Sequence, residues 1–235
     1  MDGIQAARTF TDAHFPDCIS VVLFGSVARG EVSPRSDLDL LVLMPDEVQP
    51  YRRSYDEYGW FIEVWVVSRQ YAEATVRRPD RNQNPVALTA YAEGLILKDE
   101  QNLAKSLRTK ARAILKEGPP PLTTQEIDTY RYMMTDWLDD FLDTPQYDQA
   151  VLVAHDLTVK AAEFMVALHR RWIGERRWLY RALQDIDHPL AGQLMEQLTG
   201  FYKTGDKDGL VTHIEAILAL AGGRSYAGFH QTLDD

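Results

Sequence analysis

The sequence predicts two parts: an α/β (α+β) domain with a small mixed sheet over residues 1–118, then an all-α helical bundle over residues 119–235. Three observations predict this division. Short apolar runs rich in β-branched residues alternate with helical patterns in the first half. From residue 124 onward apolar residues instead recur at spacings of three and four. Between the halves stands Gly118-Pro119-Pro120-Pro121, where glycine ends a helix and three prolines cannot continue one.

The elements follow in order. Residues 4–15 read as a helix that Pro16 ends. Ile19 to Phe24 is a short buried strand, Leu38 to Met44 and Trp60 to Val67 are two more, and Gly94 to Lys98 is a fourth. Ser68 and Asn84-Pro85 carry the chemistry of helix starts, a capping side chain or a proline at the first helical position. Beyond the prolines, Thr123 with Glu126 forms a capping box that opens a helix over 124–142. Helices over 147–173, 190–203 and 207–221 complete the bundle.

Composition narrows the function classes. A chain of 235 residues that is 45% hydrophobic builds real cores, which excludes a disordered or fibrous protein. No apolar run approaches the roughly 18 residues of a spanning helix, and the N-terminal stretch is acidic where a signal peptide is basic. The expectation is a cytoplasmic protein with no membrane partner. Cys18 is the single cysteine, so there is neither an intramolecular disulfide nor a cysteine zinc cluster. The six histidines show no HxxxH or HExxH spacing. A formal charge of −10 disfavours nucleic acid as a partner. That charge sits mostly in the second half, with 10 Lys and Arg against 18 Asp and Glu from residue 119 onward. This half attracts cationic molecules, unless its acidity serves solubility alone.

The chemistry lies in Phe24-Gly25-Ser26-Val27-Ala28-Arg29-Gly30, followed by Ser36-Asp37-Leu38-Asp39-Leu40. A buried strand ends at Gly25-Ser26, where backbone N–H groups of a helical turn can hold phosphate oxygens and glycine lets the phosphate come close. The Ser26 hydroxyl adds a further donor. Strand alternation places Asp37 and Asp39 on one face and Leu38 and Leu40 on the other. Two carboxylates about 7 Å apart along a strand suit hard divalent cations, above all Mg²⁺. A third acid, Glu63, interrupts the apolar strand Phe61-Ile62-Glu63-Val64-Trp65. A lone carboxylate there is costly to bury, so its strand is expected beside Asp37 and Asp39.

This pattern resembles the DNA-polymerase-β-type nucleotidyltransferases, whose signature is GS, about ten residues, DxD, and a third carboxylate on a neighbouring strand. Gly25, Ser26, Asp37, Asp39 and Glu63 occupy those positions. The resemblance covers residues 19–67. It implies a reaction at the α-phosphate of a nucleoside triphosphate, with ATP as the expected donor, and two Mg²⁺ ions held by Asp37, Asp39 and Glu63. The helical half is similar to that of kanamycin nucleotidyltransferase and other antibiotic adenylyltransferases, through Ala167-Leu168-His169-Arg170-Arg171 and the stretch Leu183 to Leu190. A homodimer is implied by that resemblance alone.

Further candidates fall in and around this frame. Arg29 and Ser36 flank the phosphate-binding loop, and Arg176 and Arg177 at a helix junction offer guanidinium groups to a triphosphate. The general base is either Glu63 or a helical acid, with Asp139 and Asp140 nearest the position of the kanamycin enzyme's glutamate. That enzyme's lysine four residues on has no counterpart, because Asp143 or Thr144 stands there. Asp136, Asp140 and Asp143 share one helical face, and Asp136, Asp140 and Glu163 are candidates for binding the acceptor. Lys160 is expected to pair with Asp156 at i,i+4. The reading is AMP transfer from ATP to a hydroxyl of a small molecule, an aminoglycoside-like antibiotic being one class, with release of pyrophosphate. Two alternatives stand beside it: a protein- or RNA-modifying minimal nucleotidyltransferase of the toxin–antitoxin type, and a catalytically silent nucleotide-binding regulatory protein. The Arg-x4-His motif of partner ribonuclease toxins is not met at Arg131, where Asp136 takes the histidine position.

Overall fold

The computed structural model describes residues 1–45, 48–77, 85–227 and 229–230. They divide into two compact units, the first ending at Gly118 and the second continuing from Pro119. The first contains α1 (Gly3–His14), β1 (Ser20–Phe24), α2 (Gly25–Ala28), β2 (Leu38–Met44), β3 (Tyr51–Glu57), β4 (Trp60–Ser68), α3 (Arg69–Arg77), α4 (Val86–Glu93), β5 (Leu95–Asp99) and α5 (Leu103–Glu117). The second contains α6 (Thr124–Asp143), α7 (Tyr147–Leu168), α8 (Arg177–Gln184), α9 (Pro189–Thr204) and α10 (Asp208–Ala219). Among the described residues no helix is long and apolar enough to cross a membrane.

The strands form one mixed sheet in the order β3-β4-β2-β1-β5. β2 and β4 run parallel, and every other neighbouring pair runs antiparallel. Alternation along β1, β2 and β4 sends Val21, Leu23, Leu38, Leu40, Val42, Ile62, Val64 and Val66 to one face, where they pack with Ala6, Ala7 and Phe10 of α1. The Asp2 carboxylate starts that helix by accepting the Gln5 N–H at 2.9 Å. Ser68 opens α3 as its residue type suggests, its hydroxyl accepting the Tyr71 N–H at 3.1 Å. Of the Asn84-Pro85 helix start, Pro85 caps α4, whereas Asn84 lies outside the described residues.

One strand has no counterpart in the sequence reading. β3 is Tyr-Arg-Arg-Ser-Tyr-Asp-Glu, polar and largely exposed. It lacks the apolar alternation of a half-buried strand because it is an edge, where charged side chains discourage pairing with other chains. It turns into β4 through Tyr58 and Gly59, both at positive φ, 56° and 76°. That is the geometry of a two-residue hairpin turn matching strand twist.

The second unit is all helical among its described residues, around a core that includes Leu138, Phe141, Leu157, Phe164, Met165, Leu194, Phe201 and Ile214. The capping box forms at α6: Thr123 N–H donates to Glu126 Oε2 at 2.6 Å, and Thr123 Oγ1 accepts the Glu126 N–H at 3.2 Å. Lys207 Nζ closes the other end of that helix, donating to the carbonyls of Phe141, Leu142 and Thr144 at 2.6, 3.2 and 2.6 Å. The helix expected over 147–173 stops at Leu168, because Arg170 adopts a left-handed φ of 54°. α8 then begins after Arg176, which caps it without a side-chain hydrogen bond. An eight-residue helix without a capping signal leaves little trace in a sequence.

The capping box yields a direct prediction. Thr123→Ala lowers stability by about 1 kcal/mol, read as a shifted urea midpoint in circular dichroism; an unchanged midpoint contradicts the role given to Thr123.

Candidate active site

The site is built where β1 gives way to α2. Gly25 sits there at φ +78°, a left-handed conformation that glycine alone adopts freely. Space makes the same demand, since a Cβ on Gly25 would overlap the Asp39 carboxylate oxygen Oδ2. Asp39 therefore lies directly against the backbone of the turn.

Sheet register places the acids. Phe24 lies opposite Asp39, Asp39 opposite Glu63, and Glu63 opposite Ser54. Directly opposed residues share a sheet face, so the parallel pairing of β2 with β4 brings Glu63 beside Asp39. Asp37 precedes β2 by one residue, near enough for its charge to act on Asp39, while Leu38 and Leu40 are fully buried on the opposite face. Burial raises the pKa of Asp39 first, and the charges of Asp37 and Glu63 raise it further. Arg52 and Arg29 oppose that, and the result is a pKa of about 7. Asp37 and Asp39 beside this glycine cradle are the residues that could hold a divalent cation, whose charge would offset their repulsion.

The loop between the two motif halves folds back on itself. Ser26 Oγ donates to Ser36 Oγ at 3.0 Å, and the Ser33 N–H donates to Ser36 Oγ at 2.9 Å. The Glu31 N–H returns to the Ser26 carbonyl at 2.9 Å. Ser26 and Ser36 thus stand together at the approach to Asp37. Arg29 Nε pairs with Glu31 Oε2 at 3.1 Å, close enough to Asp39 to favour its ionised form.

Glu63 is already engaged. Its Oε1 accepts Arg52 Nη2 at 2.5 Å, and its Oε2 accepts the Trp65 indole N–H at 3.1 Å. The Arg52 guanidinium also lies over the Trp65 ring, 5.2 Å from its centroid, and the Phe24 ring meets Trp65 edge-on at 6.2 Å. As they stand, no three His, Cys, Asp or Glu side chains converge as a metal-holding group among the described residues. Arg52 and Trp65 were not foreseen. Trp65 shares its strand face with Glu63 at i+2, a legible signal, whereas Arg52 lies on the edge strand that the sequence pattern hid.

The helical candidates are scattered within the second unit. Asp136, Asp140 and Asp143 form an exposed face of α6. Asp139 is occupied: Oδ1 pairs with Arg224 Nη1 at 2.5 Å, and Oδ2 accepts the Tyr226 hydroxyl. The Tyr226 hydrogen bond, then Arg224, holds its carboxyl below the ordinary aspartate range. Lys160 pairs with Glu163 at 2.6 Å rather than with Asp156. Glu163 and Lys160 line a pocket of about 490 Å³ with Glu126, Tyr130, Met133 and Ile173. Arg176 and Arg177 are exposed at the start of α8.

Residues 4–80, which include Gly25, Ser26, Asp37, Asp39 and Glu63, match the family model described as a nucleotidyltransferase domain. Among solved structures, the chain is similar to a nucleotidyltransferase-like protein from Exiguobacterium sibiricum, at 14% identity and a TM-score of 0.49. That similarity covers 93% of this chain and 76% of the other. No curated protein matches the sequence.

The raised pKa of Asp39 has a measurable consequence. Its folded pKa of about 7 lies above the ordinary 3.8, so the folded state holds this proton more tightly than the unfolded state. The associated stability is present below pH 3.8 and is lost as pH rises toward 7. Asp39→Asn should remove that loss. Without divalent cations, the variant is expected to gain about 2 kcal/mol over wild type at pH 8, allowing for solvent screening, and nothing at pH 4. Equal wild-type and variant stabilities at pH 8, measured by chemical unfolding, contradict this.

Proposed function

We propose that this chain, which carries a nucleotidyltransferase domain over residues 4–80, transfers AMP from ATP to a hydroxyl group of a small molecule and releases pyrophosphate. The observation that carries this reading is the Asp39 carboxylate set against the Gly25 backbone, with Asp37 near enough for its charge to act on it and Glu63 in register beside it. A half-buried cluster of like charges at the end of a strand is a poor structural device, whereas a triphosphate with its cation makes it a favourable one.

Each residue then has a task. Asp37 and Asp39 would hold Mg²⁺, which when bound neutralises the charge that develops on the triphosphate during in-line displacement. The opening N–H groups of α2 lack partners within the helix and are free to donate to a ligand. With Ser26 and Ser36, these groups orient the outer phosphates. The acceptor oxygen bonds to the α-phosphorus as its proton departs, and the bond from that phosphorus to the bridging oxygen breaks. Glu63 is one candidate to take the proton, once Arg52 and the Trp65 indole, which engage both its oxygens, release it. Among the acids of α6, Asp139 has both oxygens committed to Arg224 and Tyr226, which favours Asp136 or Asp140 for work on a substrate. Arg176 and Arg177, exposed and cationic, suit phosphate contacts, and Glu163 suits a cationic or hydroxyl-bearing acceptor. The acidity of the second half, 18 acids against 10 bases, supports an acceptor bearing amino groups, with aminoglycoside-like molecules as the first class to test.

The test is pyrophosphate release with ATP, GTP, CTP or UTP and Mg²⁺ across a panel of amino-sugars and other polyols. The expected result is acceptor-dependent release that falls at least about 100-fold in the Asp37→Ala/Asp39→Ala double variant, the scale of losing a charge-stabilising group. Silence across the panel, together with no nucleotide binding by calorimetry, overturns the proposal.

A further inference from the structure

The Arg52 guanidinium occupies the carboxylate that a cation-binding role would require of Glu63. We propose that Arg52 is a resident counter-cation for Glu63, a positioning residue that yields this carboxylate to a divalent cation only when a nucleotide's phosphates are present to receive the guanidinium. The inference rests on the nucleotide-binding reading of the site and adds a control on how it is loaded.

The argument starts with the asymmetry of the pair. The Glu63 side chain is 15% exposed and the Arg52 side chain 61%. Glu63 is fixed by its place in β4, between β2 and β3. Arg52 reaches in from the exposed edge strand β3, and swinging into solvent gives up only its bond to Glu63 and its seat over Trp65. An ion pair with one partner so exposed is modest in free energy, so it weakens binding of a divalent cation alone and is given up when phosphate oxygens receive the guanidinium in exchange. The charge-assisted contact at 2.5 Å nonetheless satisfies Glu63 while no competitor is present.

The second support is Trp65. Its indole N–H holds the other Glu63 oxygen at 3.1 Å, and its ring carries the guanidinium at 5.2 Å. Both contacts keep Glu63 turned toward Arg52. A guanidinium released from this seat is near enough for its charge to act on Asp39, and its fork would bind incoming phosphate oxygens in bidentate fashion. The pairing thus favours joint loading of cation and nucleotide over loading of either alone.

The experiment is a calorimetric titration of Mg²⁺ into the full chain, with and without a non-hydrolysable ATP analogue, for wild type, Arg52→Ala, Arg52→Lys and Asp39→Asn. Trp65 emission, isolated by subtracting a Trp65→Phe variant, is followed in parallel. The expected result is that Arg52→Ala binds Mg²⁺ alone about 10-fold more tightly than wild type, the scale of an allosteric coupling between two ligands. Arg52→Ala should also lose most of the cooperativity between Mg²⁺ and the analogue, and Arg52→Lys should restore part of it. In wild type, Trp65 emission changes when both ligands are added and not with Mg²⁺ alone. Equal Mg²⁺ affinity in wild type and Arg52→Ala overturns the counter-cation role while leaving the nucleotide site intact, provided that Asp39→Asn abolishes joint binding. Absence of joint binding in wild type overturns both.

Discussion

The charges of Asp37 and Glu63 act on Asp39, whose carboxylate is pressed against a backbone that leaves no room for a side chain. Most of the first unit serves this crowding. Gly25 is imposed by the left-handed turn and by the Asp39 oxygen that would overlap any Cβ there. Asp39 and Glu63 are neighbours through the parallel pairing of β2 with β4, and parallel neighbours cannot be joined by a tight hairpin. The chain meets that requirement by sending β3 back along the outer edge of β4. The edge strand that looked featureless thus completes the connection and delivers Arg52 to Glu63.

Much of this was legible in the residues. The apolar runs at 19–24, 38–44 and 60–67 are strands because buried strands leave β-branched sequences. Asp37 and Asp39 stand together at the start of β2 because their spacing requires it, and Glu63 stands out because a carboxylate amid apolar neighbours needs a partner. What the residues did not reveal was β3, whose polar pattern belongs to an exposed edge, and with it the Arg52 contact. Nor did they reveal that Glu63 faces Arg52 and Trp65 rather than turning toward the aspartates. Side-chain direction depends on neighbours distant in sequence, and no local spacing records it.

The second unit followed its sequence less evenly. Strong capping chemistry at Thr123 and Glu126 fixed the start of α6, and a sustained apolar stripe fixed α7, α9 and α10. The turn after Leu168 and the short helix α8 depend on left-handed residues, Arg170 and Arg176, that carry no glycine signal. The acids of α6 share a helix, as their spacing requires, but not an environment. Asp139 is drawn into a network with Arg224 and Tyr226, while Asp136 and Asp140 face solvent. An acid's position on a helical wheel says nothing about a partner some 85 residues away in sequence.

The central claim is that the carboxylate cluster is unfavourable by itself and made favourable by a divalent cation. A carbon-13 NMR titration of the Asp39 side-chain carboxyl, assigned by comparison with Asp39→Asn, tests it most directly. The account predicts ionisation near pH 7 in the absence of divalent cations, and a fall to below about pH 5 with Mg²⁺ and a non-hydrolysable nucleotide present. A carboxyl that titrates near the ordinary aspartate value under both conditions would contradict it.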